Sequence, residues 1–193
     1  MTGSPLTRDA QTLRYLLEVA PGAGHTLLAK LAYLSDLLAS QHLGHPITGM
    51  EYVYDNHGPF DRFRFYSARD ELVLGGFIVR ETADIGGYLG YPMFPTANSV
   101  EYSLGDAEKE ILGWVGRTYG AWSARDLCDK VVYQTKPMKR AKQGERLPME
   151  QFRRTNRLEF DLENVLAGER SAAKGRVRPL ASVLNELRAR HHG

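Results

Sequence analysis

Two apolar stripes at helical spacing, separated by four residues that break a helix, constrain this chain more than any other feature. Leu13, Leu16, Leu17 and Ala20 recur at intervals that keep them on one helix face. Leu27, Leu31, Leu34 and Leu38 repeat the pattern, and Leu28 and Leu37 widen it. Pro21-Gly22-Ala23-Gly24 lies between the two stripes. Thr7 is placed to cap the first helix. The second helix is predicted from Thr26 to His42, closed by Gly44 and stopped by Pro46. The expected product is a helical hairpin that must bury its leucines against later segments.

The period then changes. Met50-Glu51-Tyr52-Val53-Tyr54 reads as a short strand between Thr48-Gly49 and Asn56-His57-Gly58-Pro59. A helix carrying Phe63, Tyr66 and Leu72 is expected after Pro59. Phe77-Ile78-Val79 and residues 100–104, with Val100, Tyr102 and Leu104 alternating, read as strands. Residues 83–98 are rich in Gly, Pro and Tyr and suit a small antiparallel sheet or a wing-like hairpin. A long helix from about Asp106 to Gly120 carries Ile111, Leu112 and Val115. Ser123-Ala124-Arg125-Asp126 resembles a capping box and opens a helix with Leu127, Val131 and Val132.

Residues 136–149 are rich in Lys, Arg and Pro and read as a surface loop. A helix is expected over 149–167, with Leu158, Leu162, Val165 and Leu166 on one face. A basic linker at 168–178 follows. Leu180, Val183, Leu184 and Leu187 then form the stripe of a short terminal helix, which must dock to persist. The fold class expected is α+β, mainly helical: a helical bundle with a small antiparallel β-sheet or hairpin and a C-terminal helical extension.

Composition narrows the chemistry. The one cysteine, Cys128, excludes an intrachain disulfide framework and a cysteine-rich zinc site, and suits a reducing cytosol. No apolar run reaches the ~18 residues of a membrane span. The N-terminus lacks a basic region followed by an apolar stretch, so no signal peptide and a cytoplasmic location are expected. The net charge of +2 conceals a division. Residues 1–135 hold 11 Lys/Arg and 16 Asp/Glu, whereas residues 136–193 hold 14 and 7.

No phosphate loop, dinucleotide fingerprint or nucleophile elbow is present. Gly86-Gly87-Tyr88-Leu89-Gly90 matches no phosphate motif. His42, His45 and His57 lack a fourth partner for zinc and read as helix-end histidines. Cys128 sits in an apolar helix pattern and reads as a small buried hydrophobe. His191-His192 reads as a solvated terminal pair. No enzyme, cofactor or metal is therefore expected. Lys139, Arg140, Lys142, Arg146, Arg153, Arg154 and Arg157 cluster around Phe152. They suit either phosphates or an acidic protein surface.

An ordered series of short motifs carries more specific information. Lys30, Tyr33 and Asp36 lie on the second helix. Pro46-Ile47-Thr48-Gly49 follows, then Tyr52, then His57-Gly58-Pro59. The series resembles the Panacea domain, also called the SocA-like antitoxin domain. In that family a Lys-Leu-x-Tyr-x-x-Asp helix precedes a Pro-Ile-Thr-Gly turn, a strand with tyrosine and a Gly-Pro turn. Tyr119-Gly120-Ala121-Trp122-Ser123-Ala124-Arg125-Asp126-Leu127 resembles a later family segment. The Thr-His and Pro-Trp pairs usual there are replaced by Val131-Val132-Tyr133 and Lys136-Pro137-Met138. The resemblance extends over about residues 8–155. It divides the chain into a family-like domain, 1–155, and a basic helical extension, 156–193.

The resemblance implies an antitoxin of a bacterial or phage toxin–antitoxin system. Such a protein neutralises a cognate toxin by direct protein–protein binding, and some members act as proteolytic adaptors to an AAA+ protease. A homo-oligomer is compatible with it, and no membrane partner is implied. The alternative is a nucleic-acid-binding transcriptional regulator using residues 139–157. Read physically, Lys30, Tyr33 and Asp36 are expected to anchor residues 48–54 through hydrogen bonds. Partner contacts are expected from the basic cluster and from Leu180, Val183, Leu184 and Leu187.

Overall fold

Thr7 starts the first helix as expected: its side chain accepts the Ala10 N–H, and α1 runs over Arg8–Val19. The computed structural model describes residues 6–85 and 87–152. The second helix, α2, covers His25–His42. Gly44, at φ +84°, turns the chain out of it. α2 is apolar or closely packed almost all round, and 14 of its 18 residues are buried, which makes it the axis of the fold. It packs against α1, α4 (Asp106–Tyr119) and α5 (Ala124–Lys130). Glu108 holds the start of α4 by accepting the Gly105 N–H at 2.8 Å. Ser123 caps α5 by accepting the Asp126 N–H at 3.0 Å, and its hydroxyl donates to Asp126 Oδ2 at 2.7 Å.

Strands β1 (Val53–Asp55) and β2 (Gly58–Phe60) form a tight antiparallel hairpin, with Asp55 opposite Gly58 and Val53 opposite Phe60. This corrects two expectations. The strand begins at Val53 rather than Met50. Gly58 and Pro59 are strand residues, and the turn is Asn56-His57. No non-glycine residue described has a positive φ, so Gly58, at φ +89°, supplies the left-handed position the turn requires.

Helix α3 (Arg62–Leu74) follows, capped by Asp61, which accepts the Arg64 N–H. Its buried face is Phe65, Ala68 and Leu72. The helix carries Phe63, Tyr66 and Leu72 as expected, with Phe63 out of phase with the buried face and 81% exposed.

The Gly/Pro/Tyr-rich stretch is a ribbon. β3 (Ile78–Arg80) pairs antiparallel with β6 (Met93–Pro95), and β4 (Ala83–Ile85) with β5 (Tyr88–Gly90). Residues 100–104, expected as a strand, form none. Their hydrogen bonds go to α1 instead. Ser103 donates its N–H and hydroxyl to Gln11 Oε1, and the Tyr102 ring meets Tyr15 edge-on at 5.5 Å. Tyr102 and Leu104 pack against the helical core and not in a β ladder.

Residues 136–149, expected as a loop, contain helix α6 (Lys136–Arg140). They also bury Met138 and Leu147. The chain then runs along β1. Gly144 donates to Tyr54 O, Tyr54 to Glu145 O, and Leu147 to Tyr52 O, at 2.7–2.9 Å. Met149–Phe152 is a single 3-10 turn. The rest of the helix expected over 149–167, the linker and the terminal helix lie outside the described residues.

The core gathers Leu13, Leu16 and Leu17 of α1, the leucines of α2, Phe65 of α3, and Ile111, Leu112 and Trp114 of α4. The fold is mainly helical α+β with small antiparallel strand pairs. No helix among the described residues is long and apolar enough to cross a membrane.

Candidate functional site

The site is organised by three polar residues of α2. At about 100° per residue, positions 30, 33 and 36 fan across about 120° of the helix circumference. They therefore reach three separate segments, not residues 48–54 alone as expected.

Asp36 is fully buried. Its Oδ1 accepts the Ile47 and Thr48 backbone N–H groups, each at 2.8 Å. Its Oδ2 accepts the Tyr52 hydroxyl at 2.7 Å and the Thr48 hydroxyl. Burial pushes its carboxyl above the usual range, and these four hydrogen bonds pull the other way. One carboxylate thus fixes the turn after α2 and the start of β1. Burial, and then the charge of Asp36, push the Tyr52 hydroxyl well above its ordinary pKa. The phenol is therefore a permanent donor.

Tyr33 lies one turn earlier, its ring edge-on to Tyr52 at 5.2 Å. Its hydroxyl is 2.7 Å from Thr135 Oγ1. Thr135 in turn donates to Val132 O at 2.7 Å, so Tyr33 is the donor of the pair. This ties α2 to the link between α5 and α6.

Lys30 is 2% exposed. Its Nζ donates to Pro59 O at 2.9 Å and lies 5.8 Å from the Phe60 ring centroid. Burial lowers its pKa to about 8, against the opposing pull of Cys128 and Asp55. Lys30 therefore seats the β1–β2 hairpin on α2. Gly58 is pressed against it: a Cβ there would lie 3.3 Å from Lys30 Cε and 3.5 Å from Cys128 Sγ. Cys128 is buried as expected, and burial raises its thiol pKa.

Gly49 has a second role that the turn motif does not reveal. A Cβ there would lie 2.0 Å from Arg64 Nη1. That guanidinium crosses the turn to pair with Asp9 at 2.9 Å, and Asp9 also accepts the Gly49 N–H at 2.8 Å. Pro46 lies next to this turn, and Ile47 is buried beneath it.

Sequence reasoning missed Thr135, Asp9 and Asp61. Thr135 lies 102 positions from Tyr33, a separation no local pattern reports. Asp9 sits in the first turn of α1, where an acid is expected for the helix dipole alone. Asp61 follows the hairpin and accepts the Glu51 N–H as well as capping α3.

Two of the openings beside the hairpin reach α2. One, of about 160 Å³, is bounded by His25, Ala29, Lys30, Phe60, Arg62 and Tyr66, with Asp55 and His57 at its side. The other, of about 430 Å³, lies between His57, Arg125, Cys128, Asp129 and Tyr133. Thr26 borders both.

The described part of the basic cluster lies on α6 and along β1, and lines neither opening. Lys139, Arg140, Lys142 and Arg146 are exposed. Arg146 pairs with Glu51 at 3.1 Å and Glu150 at 3.3 Å, and Arg140 covers the Phe152 ring. Arg153, Arg154 and Arg157, and Leu180, Val183, Leu184 and Leu187, lie outside the described residues. His45 Nδ1 is 3.9 Å from Glu108. Among the described residues, no three His, Cys, Asp or Glu converge to hold a metal.

The geometry is that of a scaffold with one polar axis and a braced hairpin. A family model described as "Antitoxin SocA-like, Panacea domain" matches residues 28–136. That span holds Lys30, Tyr33, Asp36 and each segment they grip. No curated protein and no solved structure matches the chain.

Proposed function

The chain belongs to the SocA-like antitoxin, Panacea domain family, and from that premise we propose that it is the antitoxin of a toxin–antitoxin pair. It neutralises a cognate toxin protein by direct binding. The observation that carries this reading is the family match over residues 28–136, which contains the whole polar axis of α2. In this reading Lys30, Tyr33, Asp36, Thr48 and Tyr52 shape the binder. The toxin meets the surfaces they hold in place, and no catalytic group is required. The basic residues from Lys139 onward, together with the stripe Leu180, Val183, Leu184 and Leu187, enlarge the contact.

Co-expression with the product of the adjacent reading frame tests the proposal. Growth is restored and the two proteins co-purify if it holds. Growth arrest that persists, with no co-purification, refutes it. The half-life of the toxin in the same cells separates masking from delivery to an AAA+ protease: masking leaves it unchanged and delivery shortens it.

A further inference from the structure

Among the described residues, Lys30 is a buried charge without a counter-ion. With a pKa of about 8 it carries its proton at neutral pH. An ammonium has three N–H groups, and one of them meets Pro59 O. Among the described residues no carboxylate lies within ion-pairing distance of Nζ. Asp55, the acid beside it, is instead paired with Arg62 at 3.2 Å and accepts the Asn56 N–H. Burying an unpaired charge costs several kcal/mol. A ligand that supplies the missing negative charge recovers part of that cost.

The pocket of about 160 Å³ at Lys30 offers such a ligand a place. Its volume equals about five waters of bulk liquid, enough for a carboxyl head and the methylene that bears it. Phe60, Tyr66 and Ala29 supply an apolar wall for the methylene. His25 adds no positive charge, because burial and Arg69 push its pKa below the ordinary value. The fixed charges are therefore Lys30 and Arg62 against Asp55, a balance that suits one negative charge. A nucleic-acid phosphate, carried on a wide backbone, does not reach an Nζ sunk beneath a hairpin.

We propose that this pocket is a carboxylate-binding subsite, in which the Lys30 ammonium donates its two remaining N–H groups to the carboxyl of an acidic side chain on the partner protein. The partner half rests on the toxin-binding reading above; the carboxylate half does not.

The test uses the full chain and acetate as the probe, with NaCl at matched ionic strength as the control. The pKa of Lys30 is read by NMR of its Cε group, assigned by the signal lost in Lys30→Met. Acetate is expected to raise that pKa saturably by about one unit, because it binds the protonated form preferentially. Chloride leaves it unchanged. The side chain titrated is the wild-type one, Lys30→Met serving for the assignment alone, and equal pKa values in acetate and chloride overturn the proposal.

The second arm measures binding to the adjacent gene product. Lys30→Met, and Thr26→Tyr at the exposed rim of the pocket, are each expected to weaken it at least tenfold, with the thermal transition retained. If either folded variant binds as tightly as wild type, the partner's carboxyl is not in this pocket and that half is overturned. If the wild-type chain binds no such product, the antitoxin reading fails, and the acetate result still decides the subsite.

Discussion

Replacing Asp36 with alanine tests how much of the fold hangs on one carboxylate. The substitution strips four buried donors of their acceptor: the Ile47 and Thr48 N–H groups and the Thr48 and Tyr52 hydroxyls. A buried donor left unsatisfied costs about 1–3 kcal/mol, so the four together cost about 4–12 kcal/mol. The carboxylate's own desolvation penalty, several kcal/mol, disappears at the same time. A net loss of about 3–6 kcal/mol follows, against a total stability of about 5–15 kcal/mol for a domain. Asp36→Asn is the informative companion. It keeps the volume and one oxygen for the two backbone donors, but turns an NH₂ toward hydroxyls that must reverse to accept it. Its expected cost is about 1–3 kcal/mol. Urea unfolding followed by tryptophan fluorescence and far-UV circular dichroism gives both values. An alanine variant within about 1 kcal/mol of wild type, or an asparagine variant less stable than the alanine one, would refute the reasoning.

The remaining predictions follow from neighbouring contacts. Lys30 has a folded pKa of about 8, below its ordinary value of 10.5, so between the two the unfolded chain holds more protons. Stability should therefore rise by about 2 kcal/mol from pH 8 to pH 10, and Lys30→Met should flatten the rise; urea midpoints across that window check it. Tyr33→Phe removes the donor to Thr135 and should cost about 1 kcal/mol, measured by thermal unfolding. Gly49→Ala drives a methyl into the Arg64 guanidinium and parts it from Asp9. It should cost about 1 kcal/mol, and a double-mutant cycle with Arg64→Ala should show the two effects to be non-additive.

The helices were legible because their apolar spacing is their cause. α1, α2 and α4 each bury a face that the sequence repeats at three and four residues. The same spacing fails where the partner decides. Residues 100–104 alternate like a strand, yet they meet α1 through Gln11 and Tyr15 rather than another strand. Phe63 lies one step out of phase with Phe65, Ala68 and Leu72, which a short window does not reveal. The motif on α2 was legible as a set of residues but not as a set of contacts. Lys30, Tyr33 and Asp36 are three apart, so each looks sixty degrees further round the helix and finds a different segment. Pro59 is marked in the sequence as a turn residue but not as the acceptor of Lys30, and Thr135 carries no mark at all.

The reach of α2 also sets a clock. The hydroxyl of Tyr33 waits for Thr135, a residue synthesised 102 positions later. At about 5–20 residues per second, a ribosome takes about 5–20 s to deliver it. For most of that interval the leucines of α1 and α2 are uncovered, because α4 and α5, which close over them, have not yet been made. A partner that recognises the finished surface therefore meets each new copy of this chain seconds after its axis has left the ribosome.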